Sequence, residues 1–316
     1  MSSLSYSNVS SSKFWLTGFP GFEWAHCWIA IPIFSVYLTA VLGNATIIHI
    51  VRTDSSLQQP MYYFLAMLAG TDLGLCVSTM PTVLGLLWLN FVSIHLYACV
   101  FQLYFVHTFS FMESAMLLAM AYDRFVAITN PLRYSSVLTT SRVVKIGVFL
   151  GIRSASFTIF PGVRLFGFSY CHDNILSHSY CLHQDMIRLS CSDTRINSLY
   201  ALSVILLAMG SDFLFIFLSY ILILRSVMAI ASHREQLKAL NTCVSHILAV
   251  LVFYVPVLGL SIVHRFARHS SPLIHIIMGN VYILFPPLMN PVIYSIKTHQ
   301  IRQAIIKVLS FKWKDI

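Results

Sequence analysis

Two acidic residues, Asp72 and Glu113, lie inside long apolar stretches of the sequence. Ionisable side chains are costly in apolar surroundings, and those that occur there usually serve a function. Asp72 lies 12 residues after Pro60, and Glu113 lies 11 residues before Arg124. At a rise of about 1.5 Å per helical residue, both carboxylates would stand at a similar depth on neighbouring helices.

Asn44 and Asn290 are the amides that we expect to support this carboxylate pair. Two like charges at close range cannot both ionise cheaply, so the pair is predicted to bind a Na⁺ ion or to share one proton. A hydrated network of structural hydrogen bonds is the alternative. The sequence predicts no other cofactor.

Arg265 has the chemistry of an anion anchor, because a planar guanidinium matches a carboxylate bidentately. It lies four residues after Ser261 and 11 residues after Tyr254, so a helix would place the three on one face. The alternative is an interfacial arginine whose charge lies among lipid headgroups.

His107, Ser110 and Phe111 form a comparable face on an earlier apolar stretch, beginning eight residues after Cys99. Gln184, in a long connection between two apolar stretches, is placed to form a lid. We predict that both faces line a small-ligand pocket between helices. For His107 alone, a satisfied interior histidine is the other interpretation.

Asp123 and Arg124 are adjacent at the end of the stretch that contains Glu113. We expect them to satisfy each other at an interface while the protein rests. The alternative is a solvated charge pair, which contributes under about 1 kcal/mol.

The composition indicates the environment that these groups share. The chain has 316 residues, of which 57% are hydrophobic and 10% are charged, against about 25% charged in a soluble domain. The basic residues behind the net charge of +9 lie at the ends of apolar runs. This pattern is typical of membrane topology and not of nucleic-acid binding.

Seven stretches are long enough to cross a bilayer as helices. The predicted fold is an all-α membrane protein, a seven-helix bundle (25–296) between an N-terminal segment (1–24) and a short amphipathic interfacial helix and tail (297–316). The predicted spans are Ala25–Val51, Pro60–Trp88, Leu96–Ile128, Val143–Phe166, Ser198–Ser226, Leu237–His264 and Leu273–Ile296.

The distribution of lysine and arginine predicts an extracellular N-terminus. That orientation leaves 13 of these residues on the inner side and 6 on the outer side, as the positive-inside rule requires. Asn8 then becomes a glycosylation site, whereas the matching pattern at Asn44 lies inside a span.

Four of the seven cysteines gather on the predicted outer side. That side is oxidising, so disulfides are expected. Four cysteines allow three pairings, and their spacing does not choose among them. The four are Cys99, Cys171, Cys181 and Cys191.

Local motifs in this order resemble those of odorant receptors, a branch of the rhodopsin-like G-protein-coupled receptors. The resemblance covers nearly the whole chain, although Phe125 replaces the usual tyrosine after Asp-Arg. The motifs are Leu57–Leu65 (LQQPMYYFL), Met120–Ile128 (MAYDRFVAI) followed by Asn130–Tyr134 (NPLRY), Ser219-Tyr220, Lys238–His246 (KALNTCVSH) with Phe253-Tyr254, and Pro287–Ser295 (PLMNPVIYS).

This resemblance implies two disulfides, Cys99–Cys181 and Cys171–Cys191. It also implies that activation frees Arg124 towards a G protein, with Tyr220 and Tyr294 as the hydroxyls that receive it and His246 on the coupling side.

Val263–Phe266 and Ser177–Cys181 resemble the class I, fish-like branch, which implies small, often carboxylic acid, odorants. The implied partners are an odorant, a stimulatory olfactory-type G protein that raises cyclic AMP, and the lipid of the plasma membrane. The alternatives are a non-olfactory receptor for a small metabolite and a membrane transporter. An enzyme is not expected, since the sequence shows no nucleophile–base pair, metal-ligand cluster or phosphate loop.

Overall fold

The structure is a computed structural model that describes residues 13–171, 174–266 and 271–312. Seven segments of this part are long and apolar enough to cross a membrane. The fifth span consists of two α-helices, Arg195–Val204 and Gly210–Met228, which are joined by a π-helical turn, Ile205–Met209. The helices are α1 (His26–Thr53), α2 (Pro60–Leu89), α3 (Leu96–Thr129), α4 (Tyr134–Val137), α5 (Thr140–Leu165), α6 (His183–Arg188), α7 (Arg195–Val204), α8 (Gly210–Met228), α9 (His233–Phe266), α10 (Pro272–Lys297) and α11 (His299–Lys312).

The helix starts follow from local chemistry. Pro60 and Pro272 occupy the first turns of α2 and α10, where a missing N–H costs nothing. The Thr139 hydroxyl accepts a hydrogen bond from the backbone N–H of Arg142 and so caps α5. All seven predicted spans are confirmed, with ends that differ by a few residues.

Helix α3 lies at the centre of the bundle. In the most apolar 18-residue stretch of α3, 61% of the residues are buried, against 22% in the corresponding stretches of the first and fifth spans. Large apolar side chains on the outward faces of other spans are exposed, among them Phe149 and Leu207. A continuous exposed apolar surface of this kind is suited to lipid.

The predicted outer end of the bundle is covered by chain from three regions. Strand β1 (Lys13–Trp15) pairs antiparallel with β2 (Ser93–His95), and the long connection between α5 and α7 carries α6. Disulfides join Cys99 to Cys181 and Cys171 to Cys191. These are the pairs that the resemblance implied, and the first holds the loop against α3.

Helix α11 forms within the predicted C-terminal segment. Its Ile301 and Ala304 are buried against the bundle. The Lys307 Nζ atom lies 3.9 Å from an Asp54 carboxylate oxygen at the end of α1. Asn8, the predicted glycosylation site, lies outside the described residues.

Candidate functional site

A cavity of about 130 Å³ lies between the third, fourth, fifth, sixth and seventh spans, beneath α6. Most of its wall is apolar, with a small number of polar side chains from different elements. This combination is typical of a small-ligand site. The polar or ionisable lining residues are His107, Thr158, His183, Gln184, Ser198, Tyr200, Ser261 and Tyr282.

Four predicted ligand residues, His107, Phe111, Gln184 and Ser261, line this cavity. They reach it from α3, α6 and α9. The predicted faces on α3 and α9 therefore meet at one cavity, as expected. Their role in ligand binding stays a prediction. The side chain of Arg265 lies outside the described part of the chain.

Two predicted ligand residues lie behind the cavity wall instead of lining it. Ser110 is buried and hydrogen-bonds the hydroxyl of Tyr282, which does line the cavity. The Tyr254 hydroxyl lies 3.3 Å from the carbonyl oxygen of Met209, to which it donates. Both therefore support lining residues in this arrangement.

His183 is a lining residue that the sequence analysis missed. Its ring lies 6.5 Å from the ring of His107, measured between centroids. Burial lowers the pKa of His183 to about 4, so the imidazole is neutral near pH 7. Its position next to Gln184 in the same predicted lid was the available signal.

Below the cavity, a polar network joins four spans. Arg153 and Asp212 form an ion pair at 3.0 Å. The Ser114 hydroxyl donates to Asp212 over 3.0 Å and lies 2.8 Å from the Tyr254 hydroxyl. Asp212 therefore neutralises Arg153. The sequence had left the roles of both residues open.

The predicted carboxylate pair lies in the middle of the bundle. The side-chain amide of Asn290 donates to Asp72 at 3.0 Å and to Glu113 at 3.1 Å. The second oxygen of Glu113 is buried and has no hydrogen-bond partner among the described residues. The expectation that Asn44 supports the carboxylate pair is wrong. Its side-chain amide donates to the carbonyl oxygens of Ala40 and Pro287 and not to the carboxylates.

Near the C-terminal end of α3, Asp123 and Arg124 do not pair with each other. The Tyr134 hydroxyl donates to Asp123 over 2.7 Å, and the Arg124 guanidinium contacts the Met61 sulfur. The predicted pairing is wrong for a geometric reason, since adjacent helical residues point in different directions.

Tyr220 and His246 connect the fifth and sixth spans near this end. The Tyr220 hydroxyl lies 2.7 Å from Nδ1 of His246, and both side chains are buried. Tyr294 is also buried, with its hydroxyl beside the sulfur of Met120. His246 is thus not accessible to a partner while these helices stay packed.

Comparison with known proteins decides the family. The chain matches the olfactory receptor family model over residues 33–312. Human olfactory receptor 51G1 is 53% identical over 321 residues, covering 100% of this chain and 100% of that protein. Human olfactory receptor 51B5 is 54% identical over 306 residues, covering 96% and 97%. The chain belongs to the olfactory receptor family.

A solved structure supports the fold of this olfactory receptor. The crystal structure of squid rhodopsin superimposes with a TM-score of 0.75, covering 94% of this chain and 91% of that one, at 18% identity. Such a likeness shows the shared seven-helix architecture alone.

Family membership settles the broad class of the molecule. The receptor is a multi-pass membrane protein of the G-protein-coupled type with small-molecule odorants as its ligands, and it is not an enzyme. The transporter and nucleic-acid interpretations are thereby excluded.

Proposed function

We propose that this receptor binds small carboxylic acid odorants from the extracellular side and activates a stimulatory, olfactory-type G protein that raises cyclic AMP. The cavity beneath α6 is the observation that carries the proposal. Its volume of about 130 Å³ is close to the roughly 150 Å³ that holds a benzene molecule in an engineered protein cavity. A short-chain acid fits a space of this size.

Arg265 is the proposed anchor for the carboxylate. It lies in α9, four residues after the cavity-lining Ser261, and this spacing repeats the helix face. Ser261, His107 and Gln184 would supply further hydrogen bonds, while Phe111 and the other apolar lining residues would surround the hydrocarbon tail.

A neutral odorant, such as an alcohol, is the second candidate ligand. Among the described lining residues there is no lysine or arginine, and the low pKa of His183 keeps that side chain uncharged. If the Arg265 guanidinium does not reach the cavity, hydrogen bonding to a neutral group is what remains.

The proposed orientation places the N-terminus outside the plasma membrane and α11 along the inner lipid surface. The excess of basic residues on the α11 side supports it. So do the two disulfides at the opposite end, because disulfides persist in oxidising surroundings. Glycosylation of Asn8 belongs to the same proposal.

The proposed mechanism is a shift between two helix arrangements. An odorant can shift this equilibrium only by binding one arrangement more tightly than the other. Closure of the outer end of α9 around the ligand would supply that preference, and opening of its inner end would release His246 from Tyr220. Arg124 would then turn towards Tyr220 and Tyr294 as the G protein binds.

We further propose that Asp72 and Glu113 bind a Na⁺ ion or share one proton. The second oxygen of Glu113 supports this, since it is buried and has no hydrogen-bond partner among the described residues. Replacing Na⁺ by a large organic cation should change wild-type signalling, and Asp72→Asn should abolish that dependence. A Na⁺ response that persists unchanged in Asp72→Asn and Glu113→Gln contradicts the ion site.

The experiment that tests the odorant class is a cyclic AMP measurement in cells. Short- to medium-chain acids and alcohols of equal chain length are applied to wild type and Arg265→Ala, with Arg195→Ala, an exposed arginine outside the cavity, as the matched control. A response to acids that Arg265→Ala loses and Arg195→Ala keeps, at equal surface expression, supports the proposal.

Two other results would change the ligand class or the type of G protein. Alcohol responses that exceed acid responses and survive in Arg265→Ala favour the neutral ligand. A wild type that responds to its odorant without raising cyclic AMP contradicts the G-protein type.

A further inference from the structure

A cluster of imidazoles and one carboxylate lies at the outer end of the bundle, and none of its members lines the odorant cavity. His178 and Asp185 come from the outer loop, and His264 comes from the end of α9. The rings of His178 and His264 stack with centroids 5.1 Å apart. The ring of His275, in α10, lies 5.4 Å from that of His264. Three separate elements thus meet here.

Each of the two stacked histidines has its Nδ1 atom in a hydrogen bond. Nδ1 of His178 lies 2.7 Å from a carboxylate oxygen of Asp185, and Nδ1 of His264 lies 2.9 Å from the carbonyl oxygen of Leu260. Both oxygens accept, so each neutral ring carries its proton on Nδ1 and keeps a lone pair on Nε2. These two Nε2 atoms are buried and have no hydrogen-bond partner among the described residues.

The hydrogen bond of His264 is of the kind that metal-binding histidines make. A ligating imidazole usually donates its other N–H to a carboxylate or a backbone carbonyl, which fixes the ring and its tautomer, and His264 donates to the carbonyl of Leu260. Nδ1 of His178 and the Asp185 carboxylate already face each other at 2.7 Å, so an ion that takes the place of the Nδ1 proton would bind both. One donor atom from each of His178, Asp185 and His264 lies within 4.8 Å of the donor atoms of the other two, so small side-chain shifts bring them around one ion.

The charge at the cluster also favours a cation. Asp185 is the acidic member of the cluster, and its side chain is only 2% exposed. Its cationic neighbour Arg188 is 3.9 Å away and mostly exposed, so this charge is only partly compensated.

We propose that His178, Asp185 and His264 form a binding site for Zn²⁺ or a similar divalent first-row metal ion. Two imidazoles and one carboxylate are a ligand set that Zn²⁺ accepts, with the fourth tetrahedral position left open. A water molecule or His275 takes that position.

A metal ion at this place would tie the lid of the cavity to the sixth span. Helix α6 carries both the ligand Asp185 and the lining residue Gln184, while α9 carries both His264 and the lining residue Ser261. The ion would thus restrain the loop that covers the odorant without contacting the odorant itself.

The test is Zn²⁺ binding to the purified full-length receptor in lipid nanodiscs, measured by competition with a chromophoric zinc chelator. Wild type should bind one Zn²⁺, and His264→Gln and Asp185→Asn should each weaken the affinity at least about tenfold, because losses of 10–100-fold already follow from changes to residues that only support metal ligands. The control is His95→Gln, an exposed histidine of β2 at the same end of the bundle, and it should bind as wild type does. Absence of saturable Zn²⁺ binding in wild type, or unchanged affinity in both cluster variants, overturns the site.

Two measurements on wild type remain decisive if a variant does not fold. Co²⁺ should give the intense visible absorption of a four-coordinate ion, and Zn²⁺ should slow hydrogen exchange in the loop around α6 and at the end of α9. Weak six-coordinate Co²⁺ absorption, or exchange that Zn²⁺ leaves unchanged in both segments, also overturns the site.

Discussion

At the scale of single residues, the helix bundle holds several polar groups in its interior, away from water. The ion pair of Arg153 and Asp212 is the clearest case, since the Asp212 side chain is only 3% exposed and the Arg153 side chain 21%. Ser114 and Tyr254 extend this pair towards the cavity wall. An uncompensated charge here has no water to solvate it.

We predict that Asp212→Leu alone destabilises the receptor strongly, by about 3–5 kcal/mol, because it leaves the partly buried Arg153 without its partner. The double variant Arg153→Met/Asp212→Leu should recover most of this loss, since it removes both charges. Thermal unfolding in detergent measures both effects. A double variant no more stable than Asp212→Leu would show that packing, and not charge, is responsible.

At the scale of helices, close packing depends on small residues at the contacts. A side chain at Gly74 of α2 would place its Cβ 2.3 Å from the ring of Phe109 in α3, whereas nothing lies within 4 Å of the corresponding position at Gly70, one turn earlier. The two glycines therefore form a matched pair on one helix.

Gly74→Ala should lower stability by about 1–3 kcal/mol, because the Phe109 ring must move within a packed contact. Gly70→Ala should be neutral or stabilising, since alanine is the better helix former by up to about 1 kcal/mol. Melting temperatures of the two purified variants provide the measurement. Equal effects at both positions would contradict the packing of α2 on α3 described above.

The π-helical turn Ile205–Met209 is a second feature of this scale. Both of its end residues line the cavity, and π turns often occur at functional sites. The turn interrupts the regular phase between α7 and α8, so it sets which residues of the fifth span face the odorant.

At the scale of the whole molecule, the proposed mechanism requires the inner ends of the spans to separate during signalling. The hydrogen bond between Tyr220 and His246 joins the fifth and sixth spans and so favours the packed arrangement. Its net contribution is about 1 kcal/mol, which corresponds to a roughly fivefold change in an equilibrium constant.

His246→Phe should therefore raise basal signalling about fivefold, because it removes this hydrogen bond and keeps an aromatic ring of similar size. Cyclic AMP in cells without odorant, normalised to surface expression, measures the effect. The exposed His299 at the start of α11 provides the control, and His299→Phe should leave the basal level unchanged. A basal level in His246→Phe equal to or below that of wild type would contradict the proposal that the Tyr220–His246 hydrogen bond favours the packed arrangement.

The architecture follows from the apolar composition and its helical periodicity, because a bilayer leaves few options for an apolar chain. Each long apolar stretch must satisfy its own backbone hydrogen bonds and so becomes a helix. Helical periodicity also placed His107, Phe111 and Ser261 on faces that the structure joins around one cavity. Asp72 and Glu113 lie close enough to share the Asn290 amide, as their predicted common depth requires, since the rise along a helix is fixed.

The rotation of the helices against each other, and the path of the long loop that carries α6, depend on packing between distant segments and are seen in the folded chain alone. Neighbours in sequence did not predict partners in space: Asp123 pairs with Tyr134 and not with Arg124, and Arg153 finds Asp212 on another span. The loop brought His183 into the cavity and His178 against His264. Such contacts depend on side chains from distant segments, for which periodicity within one segment carries no information.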